Sequence, residues 1–259
     1  MLLRLFAKQP PLDEPSIGWL LEVFAWALRH LDAEVFDRDS VLVTPTNEHY
    51  PGRVNSLHGM AELIFRQTAA YAGMGHWPFR LVEAGTVPLP EPGRIALPAK
   101  LRQASATKEP GAPGGPQIPI SYDPAMINNP EAMIAGFAQV LAHHLGSAVR
   151  APVPGGIENW PQATEVLGVF LGFGLMFANT ASSFPARSCG SCGGPPVQRH
   201  AYLSEDDITY ALAIFCRLKG IAERDALRHL KSALRPHFKR CLRDLEGRET
   251  ALAELRAAA

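Results

Sequence analysis

Cysteine is scarce: there are four in 259 residues. That is too few for a disulfide-stapled scaffold, and the expected home is a reducing, cytoplasmic one. Surplus charge is missing too. Twenty-five basic residues balance twenty-five acidic ones, so bulk electrostatics give a nucleic-acid partner no support. The longest apolar run, Val166–Ala178, falls short of the roughly 20 residues a bilayer span needs, so it reads as a buried core helix. The opening "MLLRLFAKQPPLDEP" has neither an apolar h-region nor a small-residue cleavage site, so no signal peptide is expected. There is no G-x-S-x-G elbow. "GAPGGP" contains prolines and lacks the lysine of a phosphate loop.

What is present points to an α+β chain. Residues 15 to 33 carry apolar side chains at three-to-four spacing, which predicts a helix. "SVLVTP" at 40 to 45 reads as a short strand. A second helix starts at Ser56, with Leu57, Met60, Ile64 and Tyr71 on one stripe. "FRLVEAG", "RIALPAKL" and "QIPISY" are further strand candidates, expected to form a short mixed sheet with the first. The Pro- and Gly-rich segment of about 102 to 117 reads as a mobile surface loop. The second half is helical. Asn129, Pro130 and Glu131 form a start signal. Residues 158 to 180 are apolar on every face and should be buried all round. Ser204 with Asp207 three residues on resembles a capping box. From about 221 the chain becomes a charged helical extension interrupted by Pro236. The expected division is therefore a domain over 1 to 220 and an extension over 221 to 259. Cys216 and Cys241 read as isolated, buried, inert thiols on helices.

Within "AGFAQVLAHHLGSAVRAP" the helical wheel gathers Phe137, Leu141, Leu145 and Ala148 within about 60° of Ile134. Gln139 and His143 fall opposite, one turn apart. On a zinc-protease helix that pair would be two histidines, with a glutamate after the first. The next helix contains "PQATEVLGVFLGFGLMFANT", and "AYLSEDDITYALAIF" follows at 201 to 215. Together with "VLVTPTNEHYPG" upstream, these stretches resemble a largely uncharacterised bacterial family of zincin-like H-E-x-x-H proteins, over about residues 40 to 245. The resemblance implies a zincin-like domain with its zinc site on these two helices.

The departures from that family decide the expected function. Its first zinc histidine falls on Gln139, its general-base glutamate on Val140, and its third ligand on Pro161. The aspartate after the threonine becomes Glu165, and only the second histidine survives, as His143. A hydrolytic zinc needs three protein ligands, an open water position and a base. The chain therefore reads as a pseudopeptidase with no cofactor in its former cleft and a protein or peptide partner. A single histidine is more often structural than a ligand, so His143 is expected to hydrogen-bond in a polar former cleft. The alternative is a rearranged zinc hydrolase that recruits His143, Glu158 or Glu165, and one of His49, His58 or His76.

Two further features remain. "SCGSCGG" places Cys189 and Cys192 in a C-x-x-C turn, with His200 eight residues on as a third ligand for a structural zinc. A redox pair or a plain loop are the other readings. The C-terminal stretch carries many basic residues over a stripe of Leu227, Leu230, Leu234, Phe238 and Leu242. It reads as a solvated face, or else as a helix that docks a partner.

Overall fold

The computed structural model describes residues 10–84, 98–103, 117–181 and 201–257. Helix α1 spans Glu14–His30 and starts where the Asp13 carboxylate accepts the Ser16 N–H at 2.8 Å. Its apolar spacing turns Ile17, Leu20, Phe24, Ala27 and Leu28 inward. Helix α2 (Ala33–Asp39) follows at once, turned by Asp32 in the left-handed region. Helix α3 spans Leu57–Tyr71. Its buried line is Ala61, Ile64, Phe65, Thr68 and Ala69, whereas Leu57 is 62% exposed. The expected stripe was therefore rotated by part of a turn.

Strands β1 (Phe79–Glu83) and β2 (Ile118–Tyr122) pair in parallel, from Phe79 opposite Ile118 to Glu83 opposite Tyr122. Among the described residues this two-stranded sheet is the whole of the β structure, and the expected mixed sheet is corrected to it. The stretch from Ser40 to Pro45 is extended but joins no strand. The Val43 N–H donates instead to the Gly172 carbonyl at 3.0 Å, so its ladder partner is a helix. Of the candidate at 94 to 101, residues 94–97 lie outside the described ones, and Pro98–Leu101 forms no strand. The Lys100 and Leu101 carbonyls accept from the His76 ring and the Trp77 indole, both at 2.9 Å.

The remainder is helical. Helix α4 runs Pro130–Ser147 with Asn129 as its cap, as its start signal predicts. Helix α5 (Trp160–Gly168), a π-like turn (Val169–Phe173) and α6 (Gly174–Thr180) make one rod kinked at Gly172, whose φ of 103° is not helical. Every residue of that rod from Ala163 onward is buried. The rod is long and apolar enough to cross a membrane, yet the protein wraps it completely. Helix α7 (Glu205–Leu218) opens on the Ser204–Asp207 capping box. Helices α8 (Glu223–His229), α9 (Arg235–Glu246) and α10 (Glu249–Ala257) follow, with Pro236 in the first turn of α9. Leu230, Phe238, Leu245, Leu252 and Leu255 join the same apolar cluster as α1, α4 and the rod. Cys216 and Cys241 are buried free thiols, and burial pushes the Cys216 thiol up to about 12. The molecule is thus mostly helical, with its small parallel sheet in the N-terminal half.

Segment 102–117 begins with a correction. Arg102 is fully buried, so the stretch expected to be mobile starts at an anchor. Residues 104–116 lie outside the described ones.

Candidate functional site

The helix that carries Gln139, Val140 and His143 is α4, and α5 is its neighbour. Gln139 and Val140 are half-buried and His143 is exposed, on the side away from the core stripe, as the wheel predicts. Trp160 opens α5 beside them. Its indole N–H donates to His143 Nδ1 at 3.1 Å, and the two rings lie 5.6 Å apart. Nδ1 is thereby an acceptor, so the neutral ring carries its proton on Nε2. Gly146, one turn on from His143, makes the helix contact possible. A Cβ there would meet the Trp160 ring at 2.5 Å.

His144 meets the His143 ring edge-on at 5.9 Å and lies against Phe79 of β1, ring to ring at 5.8 Å. Partial burial lowers the affinity of both imidazoles for protons, because a cation there would lose water. Burial, with His143 next door, takes His144 from 6.5 down to about 4. The consequence for stability has a definite sign. Above pH 6.5 neither state is protonated at His144 and the residue contributes no pH dependence. As pH falls from 6.5 towards 4 the unfolded chain takes up a proton that the folded ring refuses. Stability should fall through that window and level off below it. His144→Gln should flatten this limb of the curve, read as urea midpoints at pH 7, 6, 5 and 4. An unchanged slope in the variant would assign the limb to other groups.

The two other residues singled out in the sequence, Pro161 and Glu165, part company. Pro161 sits in the first turn of α5, where its missing N–H costs nothing. Glu165 is fully buried, and its carboxylate accepts the backbone N–H groups of Tyr202 and Leu203 at 3.1 and 2.8 Å. It fastens the approach to α7 onto α5, which is a structural task. Glu158 is exposed in the short turn before α5.

The histidines that a rebuilt zinc site would recruit are engaged elsewhere. His49 Nδ1 meets the Thr44 hydroxyl at 2.8 Å, His58 Nδ1 meets the Tyr122 hydroxyl at 3.0 Å, and His76 donates to Lys100. Among the described residues no three His, Cys, Asp or Glu side chains gather closely enough to hold a metal ion. Gln139, Val140, Pro161 and the Trp160-capped His143 do not fit a catalytic zinc. Cys189, Cys192 and His200 lie outside the described residues.

Trp160 is the residue sequence reasoning missed. Its signal was available: an aromatic directly before the proline that opens α5. Ile157 was missed as well. It lies one turn ahead of Trp160 and is 81% exposed. In comparisons with known proteins, no family model, no curated protein and no solved structure matches the chain.

Proposed function

We propose that this chain is a catalytically inactive zincin-like protein, a pseudopeptidase, that binds a protein or peptide partner beside the altered α4–α5 face. One observation carries the reading: the Trp160 indole caps His143 Nδ1 across the two helices where the resemblance expects zinc ligands. Val140 accepts no proton, so no base stands next to a bound water. Pro161 offers no ligating atom, and Glu165 is committed to backbone amides. The order of the motifs along α4, the α5–α6 rod and α7 supports the zincin-like ancestry.

The binding half of the proposal rests on chemistry left at the surface. Exposed Ile157 and half-buried Trp160 supply an aliphatic and an aromatic group on one short turn. Such groups anchor peptide partners because they bury much area at little entropic cost. The test measures zinc per chain by elemental mass spectrometry in wild type, His143→Ala and Cys192→Ser, alongside a peptide-hydrolysis assay. The expected result is no hydrolysis and a zinc content that His143→Ala leaves unchanged. Zinc lost only in Cys192→Ser would assign a structural knuckle and leave the pseudopeptidase reading intact. Zinc and hydrolysis lost together in His143→Ala would overturn it. For the binding half, a phage-displayed peptide library should enrich on wild type and fail to enrich on Ile157→Asp. Equal enrichment on both would remove Ile157 from the site.

A further inference from the structure

Balanced net charge hides a strongly segregated surface. Between positions 224 and 243 the chain carries seven Arg and Lys residues against one Asp, an excess of six positive charges in twenty residues. All seven are exposed on α8, α9 and the turn between them. Two of them have acidic neighbours at 3.6 Å: Arg224 with Asp225, and Lys239 with Glu223. Both pairs are well exposed and therefore weak. Arg228, Lys231, Arg235, Arg240 and Arg243 pair with no carboxylate among the described residues. The nearby acids are committed elsewhere: Asp206 to His237, Asp244 to Arg248 and Tyr210, Glu246 to Arg217.

Helix periodicity explains the segregation. Phe238, Cys241, Leu242 and Leu245 turn the apolar side of α9 into the core. Arg235, Lys239, Arg240 and Arg243 then share an arc of about 140° on the opposite side. The chemistry of this face selects among partners. It exposes no large hydrophobic side chain, so it lacks the wedge that an interfacial membrane helix buries. It has no exposed aromatic ring on which a single strand could stack. It has no apolar centre of the kind that protein interfaces desolvate. A predominantly cationic face without those features suits a dense, regular array of fixed anions, and the phosphates of a nucleic-acid duplex are such an array.

We infer that the exposed cationic face of α8 and α9 binds the backbone of duplex nucleic acid without reading its sequence. This surface is separate from the α4–α5 face, and the inference stands on a different observation.

Fluorescence anisotropy with a labelled DNA duplex of about 20 base pairs tests it on the full chain. Wild type should bind at low salt with little sequence preference. Five phosphate contacts predict that log K falls with log[salt] at a slope of about −4.5, a weakening of roughly 500-fold between about 50 and 200 mM. Arg228→Glu/Lys231→Glu/Arg240→Glu removes side chains that make no hydrogen bond among the described residues, so circular dichroism and the urea midpoint should stay near wild type while binding is lost. If that variant fails to fold, Arg240→Gln alone should make the slope shallower by about 0.9. Absence of salt-sensitive duplex binding, or an Arg240→Gln slope equal to wild type, would overturn the inference. So would tighter binding to a single strand. Binding to phosphatidylserine vesicles but not to duplex would overturn it in favour of a lipid surface.

Discussion

Replacing Arg102 by alanine is expected to lower unfolding stability by about 3–5 kcal/mol, one of the two largest single-residue effects in the protein. Arg102 is fully buried. Its guanidinium donates to the Ala72 carbonyl at 3.0 Å, the Leu31 carbonyl at 3.4 Å and the Ser40 hydroxyl at 2.8 Å, and lies over the Phe170 ring at 5.5 Å. Its backbone N–H donates to Asp32 at 2.8 Å. One side chain thus ties α1, α2 and α3 to the core rod. Burial lowers its proton affinity to about 10, opposed by Asp32 and Asp39, so it remains a cation at neutral pH. Alanine would leave two carbonyls and a hydroxyl without their donor, and would remove the countercharge facing the two aspartates. Leaving buried partners unsatisfied costs more than the net worth of the bonds. In a domain of this size the loss corresponds to a fall in Tm of roughly 6–20 °C. Urea midpoints measure it directly. Tryptic cleavage after Lys100 should also accelerate, since Pro98–Gln103 is held largely by this anchor, His76 and Trp77. A loss below about 1 kcal/mol would mean that water enters and replaces the guanidinium.

Arg102 also marks the boundary of what sequence reading could reach. Local signals worked where the physics is local. Asn129 caps α4, and Ser204 with Asp207 boxes the start of α7, because a cap needs only its own next three residues. The burial of the α5–α6 rod was legible because no polar face was left to meet water. Failures came where a distant partner decides. Ser40–Pro45 has the alternation of a strand, yet Val43 is claimed by a carbonyl more than a hundred residues away. Arg102 sits in a stretch whose composition reads as loop, and nothing local announces that three helices converge on it. Charge was legible as a basic C-terminal stretch, whereas the exposure of its seven cations required the fold. At the candidate site, Gln139 and His143 could be placed together on one helix face from the sequence. The Trp160–His143 contact could not, since it depends on α5 crossing Gly146.

Gly172→Ala should be the second large effect, and it tests what the π-like turn does. Gly172 is buried with φ 103°, a conformation that L side chains rarely adopt. A Cβ there would run into the carbonyl oxygen of Val41, a backbone atom that cannot swing aside. The kink at Gly172 takes its carbonyl out of the regular helix ladder and presents it to the Val43 N–H. Alanine therefore incurs about 1–2 kcal/mol for the backbone conformation and about 1–3 kcal/mol for overpacking, and it threatens the Val43 bond as well. A loss of roughly 2–5 kcal/mol is expected. Gly220→Ala separates the two contributions. Gly220 also has positive φ, at 63°, but nothing lies within 4 Å of its missing Cβ. That variant should lose only about 1 kcal/mol. The difference between the two midpoints measures the contact between the π turn and the Val41–Val43 segment. Equal losses would mean that the segment yields, and that the helix carbonyl does not hold it in place.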